Sequence, residues 1–242
     1  MKARPFAACS VLFALTAVWA AAAPADQWIA KARAYIGTER ALDAVRSLHI
    51  TGTLENETGA KVPVDIICQK PDQRLIKMTF EKAVKITALD DYDGWEQTRD
   101  STNPTNWQLK LMDSSQIKRI RADNAETLNF FKGIEQHGGK VEFLGDAKTD
   151  GRDTVKLAYN YGPGIVFYRY IDKATGKQLL VETESGVTIR EEGEMIVNGV
   201  RFSKRIINRN ADGKTNTLTI DTLTLNEVFP ENLFAVPSLI AK

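Results

Sequence analysis

The sequence predicts an α+β fold dominated by antiparallel strands: an incomplete barrel of roughly eleven strands with helices laid across its open side. Three observations predict it. From Leu48 to Ala88 the apolar residues recur with a period of two. From Val141 to Glu194 the same rhythm continues between turns of recognisable chemistry, and only two stretches, Asp26 to Leu48 and Asp113 to Gln136, carry a helical period instead.

The first helical stretch places Trp28, Ile29, Ala32, Tyr35 and Ile36 on one stripe. After a break at Gly37, Ala41, Leu42, Val45 and Leu48 continue it, with Thr38 as the expected cap of the second piece. Four strands follow, each with an apolar face: Leu48, Ile50 and Leu54; Val62, Val64, Ile66 and Cys68; Ile76, Met78 and Phe80; Val84, Ile86 and Ala88. A sheet with one greasy face must cover it. Asn56 to Gly59, Pro71-Asp72 and Glu81-Lys82 supply the reversals. Asp90 to Asn106 reads as polar and irregular apart from Trp95, and Trp107, Leu109, Leu111 and Met112 return the chain to the apolar side.

The second helix is expected to start at a Ser114 or Ser115 cap. It carries Ile117, Ile120, Leu128, Phe131 and Ile134 at helical spacing, is widened by Phe130, and ends at Gly138-Gly139. Lying between the two sheet-forming halves, it is placed to cover the open side of a curved sheet. A hairpin then turns at Asp150-Gly151, and Ile165 to Ile171 is apolar on both faces, which predicts cover on both sides. Asp172 to Gly176 makes the next turn, and Asn198-Gly199 and Asp212-Gly213 mark two further hairpins. The tail from Phe229 to Phe234 forms a short apolar clasp before Pro237.

Lys2 and Arg4 precede an uncharged apolar run from Phe6 to Ala23, and Ala23-Pro24-Ala25 fits a small-residue cleavage site. The expectation is a secretory leader over residues 1–25, one domain over 26–242, and a soluble mature chain. The whole chain has 32 basic and 31 acidic residues, so nothing advertises a nucleic-acid partner. Only Cys68 remains beyond the leader, which excludes an internal disulfide, and its alternation with Ile66 and Val64 reads as a buried, inert thiol. His49 and His137 stand without a nucleophile or acid at useful spacing, and Asn208 to Gly213 has Thr219 where a calcium loop needs glutamate. No enzyme, cofactor or metal is expected. A curved sheet with a wide apolar inner face can instead hold acyl chains, each buried methylene contributing about 0.8 kcal/mol.

An assembly of short motifs then carries a resemblance. These are Ala41-Leu42-Asp43-Ala44-Val45-Arg46-Ser47-Leu48 with Thr51-Gly52-Thr53, the Asp93-Gly94-Trp95 turn, Leu144-Gly145 with Asp150-Gly151-Arg152-Asp153, and Tyr170-Ile171-Asp172 with Thr175-Gly176. Val197-Asn198-Gly199-Val200-Arg201-Phe202 and Leu233-Phe234-Ala235-Val236-Pro237 complete them. Together they resemble the LolA family of periplasmic lipoprotein carriers and its superfamily, over nearly all of the chain beyond the leader. The resemblance implies a half-barrel with a helical lid, a hydrophobic cavity and a place between two membranes. It further implies an acyl lipid or lipoprotein as cargo, and an inner-membrane transporter and an outer-membrane acceptor as partners of a monomer. A lipid- or lipoprotein-sensing module of the same fold, acting through protein partners, is the rival reading.

The residues expected to line the cavity or lid are Ile66, Met78, Trp95, Trp107, Phe130, Phe131, Phe143, Phe167 and Tyr170. Arg201, Lys204, Arg205 and Arg209 form a basic stripe that could dock a partner or an anionic headgroup, a solvated strand face being the plainer reading.

Overall fold

The computed structural model describes residues 24–103 and 105–238; the expected leader falls almost wholly outside them. Helix α1 (Pro24–Ile36) turns Ala25 and Ala32 into the core, and α2 (Glu39–Asp43) is capped by the Thr38 hydroxyl, which accepts from the Ala41 amide at 3.2 Å.

Six strands follow as a meander, each pairing antiparallel with the last: β1 (Ser47–Asn56), β2 (Lys61–Gln69), β3 (Gln73–Thr79), β4 (Ala83–Asp90), β5 (Asp93–Asp100) and β6 (Trp107–Leu111). Helix α3 (Ser114–Leu128) then carries the chain across to the opposite edge. From there β7 (Lys140–Thr149), β8 (Arg152–Gly162), β9 (Ile165–Asp172), β10 (Gln178–Thr183) and β11 (Thr188–Glu192) step back inward. After a separate hairpin, β12 (Met195–Val197) and β13 (Val200–Phe202), the strands β14 (Arg205–Arg209) and β15 (Thr215–Leu225) close the return by pairing β15 with β1. The result is one antiparallel sheet of 13 strands whose edges, β6 and β7, do not meet. This is the open half-barrel with helices across it that the alternation and the two helical stretches predict.

Several elements differ from expectation for identifiable reasons. Strand β5 forms where the sequence is polar, because its ladder to β4 and β6 is made by backbone groups; Trp95 and Gln97 turn to a buried side, while Glu96, Arg99 and Asp100 need only tolerate half-solvated positions. The cap of α3 is Asp113, which accepts from the amides of Ser115 and Gln116 at 2.9 Å while Gln116 reaches back to its amide, a full capping box. That helix stops at Leu128. The residues expected to prolong it enter a turn, with Phe130 and Phe131 at φ 47° and 71°, and then a short 3-10 turn over Ile134–His137.

The sheet is also greasy on parts of both faces. Directly paired residues share a face, and the register sets His49 beside Ile67, Ile67 beside Leu75, Leu75 beside Ala88 and Ala88 beside Trp95. This row lies on the convex side, opposite Val64 and Ile66, so the apolar face of β4 points away from that of β2. The C-terminal clasp covers it. Phe234 is 1% exposed and its carbonyl accepts from the Trp95 indole N–H at 2.9 Å, while Phe229 packs edge-on against His49 and Phe234. His49, expected to lack an acid, has two: Nδ1 lies 2.7 Å from Glu227 and Nε2 2.9 Å from Asp65. Burial alone would lower its pKa; the two carboxylates outweigh that and raise it. Strand β9, expected to be covered twice, is covered once, since Tyr168 and Tyr170 on its outer face are half-exposed with the Lys156 ammonium 4.5 and 4.9 Å from their rings.

Candidate functional site

On the concave side the pairing stacks Ile50 with Ile66 and Leu223, Ile66 with Ile76, and Val64 with Met78. Gly52 sits at a register shift where β1 and β15 approach so closely that a Cβ would lie 2.3 Å from the Thr219 carbonyl oxygen. Facing these strands across the half-barrel are Phe167, Val181, Ile189 and Ile206. The helices do not fill the space between. Helix α1 packs Trp28, Ile29 and Ile36 against the β8–β10 side, whereas α2, Leu128 and Phe130 pack toward β1, β2 and β13. Between these two cores remains a cavity of about 630 Å³, within the range of roughly 300–1,000 Å³ usual for small-molecule sites.

The roof turns on two successive phenylalanines. Because both are left-handed, their rings splay apart: Phe130 meets Phe202 at 6.2 Å between centroids, and Phe131 meets Tyr159 at 6.5 Å. Side chains other than glycine adopt such φ values at a cost of about 1–3 kcal/mol each, so the surroundings must hold them. They do so through the freed carbonyls. Arg33, 1% exposed, donates from Nη1 to the Phe130 carbonyl at 2.7 Å, and the Tyr159 hydroxyl donates to that of Phe131 at 3.2 Å. The remaining Arg33 donors bind Glu39 at 2.8 Å and Asp43 at 3.0 Å. Hydrogen bonds from Arg33 and Lys132 pull the Glu39 carboxyl down to about 2.

Charged side chains also reach the cavity. Arg169 lies between Phe167 and Ile171 on the inner face, ion-paired with Glu126, its guanidinium 4.6 Å from the Phe131 ring centre and 4.9 Å from that of Tyr159. Burial alone would lower its pKa, and Glu126 more than offsets this. Asp123 and Glu191 face the same space, and burial raises the Asp123 carboxyl above the ordinary range. Arg74 lines the wall on β3. Among the described residues no group of three or more His, Cys, Asp or Glu side chains is placed to hold a metal ion, and the Cys68 thiol is fully buried, with burial raising its pKa.

Of the residues singled out in the sequence, Ile66, Met78, Phe130, Phe131 and Phe167 line the cavity. The other four lie elsewhere. Trp95 is on the convex row under the clasp, Trp107 is half-buried on edge strand β6, and Phe143 is 38% exposed on edge strand β7 beside a register shift. Tyr170 is on the outer face of β9, its hydroxyl donating to Glu182 at 2.6 Å. The basic stripe divides: Arg201 lies on the β12–β13 hairpin, reaches the cavity and pairs with Glu194, whereas Arg205 pairs with Glu192 on the outside, and Lys204 and Arg209 are exposed. Arg33, Arg74 and Arg169 are absent from the residues singled out in the sequence. Each carries a visible signal, a charge at a position that the local period assigns to the apolar side.

An open antiparallel half-barrel, roofed by helices over an apolar cavity, defines the LolA-like fold, and this chain has it. No family model and no curated protein sequence matches the chain. Among solved structures, it is similar to a LolA superfamily protein from Nitrosomonas europaea, with TM-score 0.59, 14% identity, and 89% of this chain and 99% of that one covered. It is similar also to a Vibrio parahaemolyticus domain named for outer membrane lipoprotein sorting, with TM-score 0.57, 14% identity, and coverage of 87% and 97%. A DUF1329 family protein from Desulfovibrio piger follows, with TM-score 0.56, 8% identity, and coverage of 87% and 97%. No helix among the described residues is long and apolar enough to cross a membrane.

Proposed function

We propose that the protein is a periplasmic carrier that takes the acyl chain of a lipid or lipoprotein into the half-barrel and passes it toward the outer membrane, from an inner-membrane transporter to an outer-membrane acceptor. The observation that carries this reading is the cavity itself, about 630 Å³, walled by aliphatic side chains from both halves of the sheet and roofed by aromatic ones. Ten methylenes moved from water into it contribute about 8 kcal/mol before the cost of ordering the chain, enough for binding without a precise polar contact. The sequence-predicted leader and the lipoprotein-sorting name of the Vibrio relative agree with that compartment and cargo. The site needs no catalytic group for this role, and none is part of the reading.

Uptake of a fluorescent fatty-acid analogue tests it. The wild-type protein is expected to bind the probe, Met78→Glu to weaken it by about tenfold or more by placing a charge on the cavity wall, and Tyr170→Ala, outside the cavity, to leave it unchanged. Failure of the wild type to take up the probe, or indifference to the Met78 substitution, would overturn the proposal.

A further inference from the structure

Taking the cavity as a lipid site, we propose that its cargo is an amphiphile with an oxyanion, a carboxylate or a phosphate, at the head of its acyl chain, and that Arg74 receives that oxyanion. Arg74 occupies the inner face of β3, in register with Cys68 and Leu89, both with no exposed surface. Its Nη1 is buried with no hydrogen-bond partner. The other arginines at or beside the cavity are neutralised: Arg169 by Glu126, Arg201 by Glu194, and Arg33 by Glu39 and Asp43. Arg74 forms no ion pair among the described residues. A guanidinium stays protonated whatever its surroundings, and its planar fork matches a carboxylate or phosphate, so an unpaired one inside a protein calls for an anion.

Protein groups do not meet that need. Asp123 faces Arg74 from α3 and feels its charge, but the two do not close to an ion pair, and burial acts against the charged form of this carboxyl. Beyond Arg74 the same wall is apolar, with Ile76 and Met78 following on β3 beside Ile66 and Val64 on β2. Arg74 to Met78 spans roughly 13 Å of strand, so an extended chain anchored at the guanidinium lies along aliphatic surface over that length. A charged end followed by an apolar wall is the imprint of an amphiphile rather than of a neutral lipid.

Displacement of the bound fluorescent probe by dodecanoate, dodecyl phosphate and dodecan-1-ol, three ligands with one chain, tests this. Wild type is expected to bind at least one of the two anions about tenfold or more tightly than the alcohol. The preferred anion identifies the head group. Arg74→Gln is expected to remove the preference without altering alcohol binding, and Arg74→Lys to keep part of it. Inorganic phosphate alone is expected not to displace the probe. Wild type that binds all three equally, or a folded Arg74→Gln that keeps the preference, overturns the inference and leaves the carrier reading standing; wild type that binds none overturns both. Displacement by inorganic phosphate alone would overturn the amphiphile. Should Arg74→Gln not fold, Arg74→Lys decides the matter: it is expected to keep only part of the anion preference with alcohol binding as it was, and a folded Arg74→Lys with the full wild-type preference overturns the inference.

Discussion

Trp95→Ala is expected to lower the free energy of unfolding by about 3–5 kcal/mol while leaving acyl-probe uptake intact. The side chain is 3% exposed and holds the convex row together, and its indole N–H is the hydrogen-bond partner of the Phe234 carbonyl. Truncation opens a void among Ile67, Leu75 and Ala88 and orphans that carbonyl, so the clasp from Phe229 to Phe234 loses its anchor. Denaturant unfolding gives the stability, and proteolysis near Phe234 reports release of the clasp. Loss of probe binding at unchanged stability would instead place Trp95 in the cavity, where aromatic character alone had put it.

Arg33→Met is expected to cost about 3 kcal/mol and to loosen the roof. Methionine fills much of the volume, so the loss falls on the Phe130 carbonyl and on the bonds to Glu39 and Asp43. Without that donor the two left-handed phenylalanines lose one of the two side-chain bonds that hold their carbonyls. Amide hydrogen exchange at residues 129–132 should accelerate accordingly. The pH dependence changes as well. Glu39 has a folded pKa lowered to about 2, so its contribution is present above the unfolded value near 4.5 and is lost as pH falls through about 2. That contribution is modest, because the Glu39 side chain is half-exposed. In Arg33→Met the lowering is reduced, and the stability lost between pH 4.5 and 2 should shrink. Unchanged exchange at 129–132 would show that the roof is held by packing alone.

Much of the fold was legible because period-two alternation and turn chemistry are local. Asn198-Gly199 and Asp212-Gly213 turn hairpins where they stand, and the two helical stretches lie over the sheet. Register is not local. Val84, Ile86 and Ala88 alternate as cleanly as Val64 and Ile66, and only the pairing of Ala88 with Leu75 and Trp95 reveals that they face the other way. The same limit explains the cavity candidates. Ile66, Met78 and Phe167 lie on inward faces of strands near the middle of each half, whereas Phe143 and Trp107 belong to the edges, a position no residue pattern announces. Arg74 and Arg169 were legible in principle as charges on apolar faces, but an alternation count scores them as breaks rather than as features.

The carrier role requires that the cavity hold an acyl chain. Native mass spectrometry of the full chain expressed with secretion and purified from a bacterial periplasm, followed by solvent extraction, tests this most directly. The prediction is a bound species of acyl-lipid or lipopeptide mass, released on extraction and absent from a folded Phe167→Asp protein. A ligand-free mass that stays unchanged after incubation with acyl lipid would contradict it and would make the inner face a core alone.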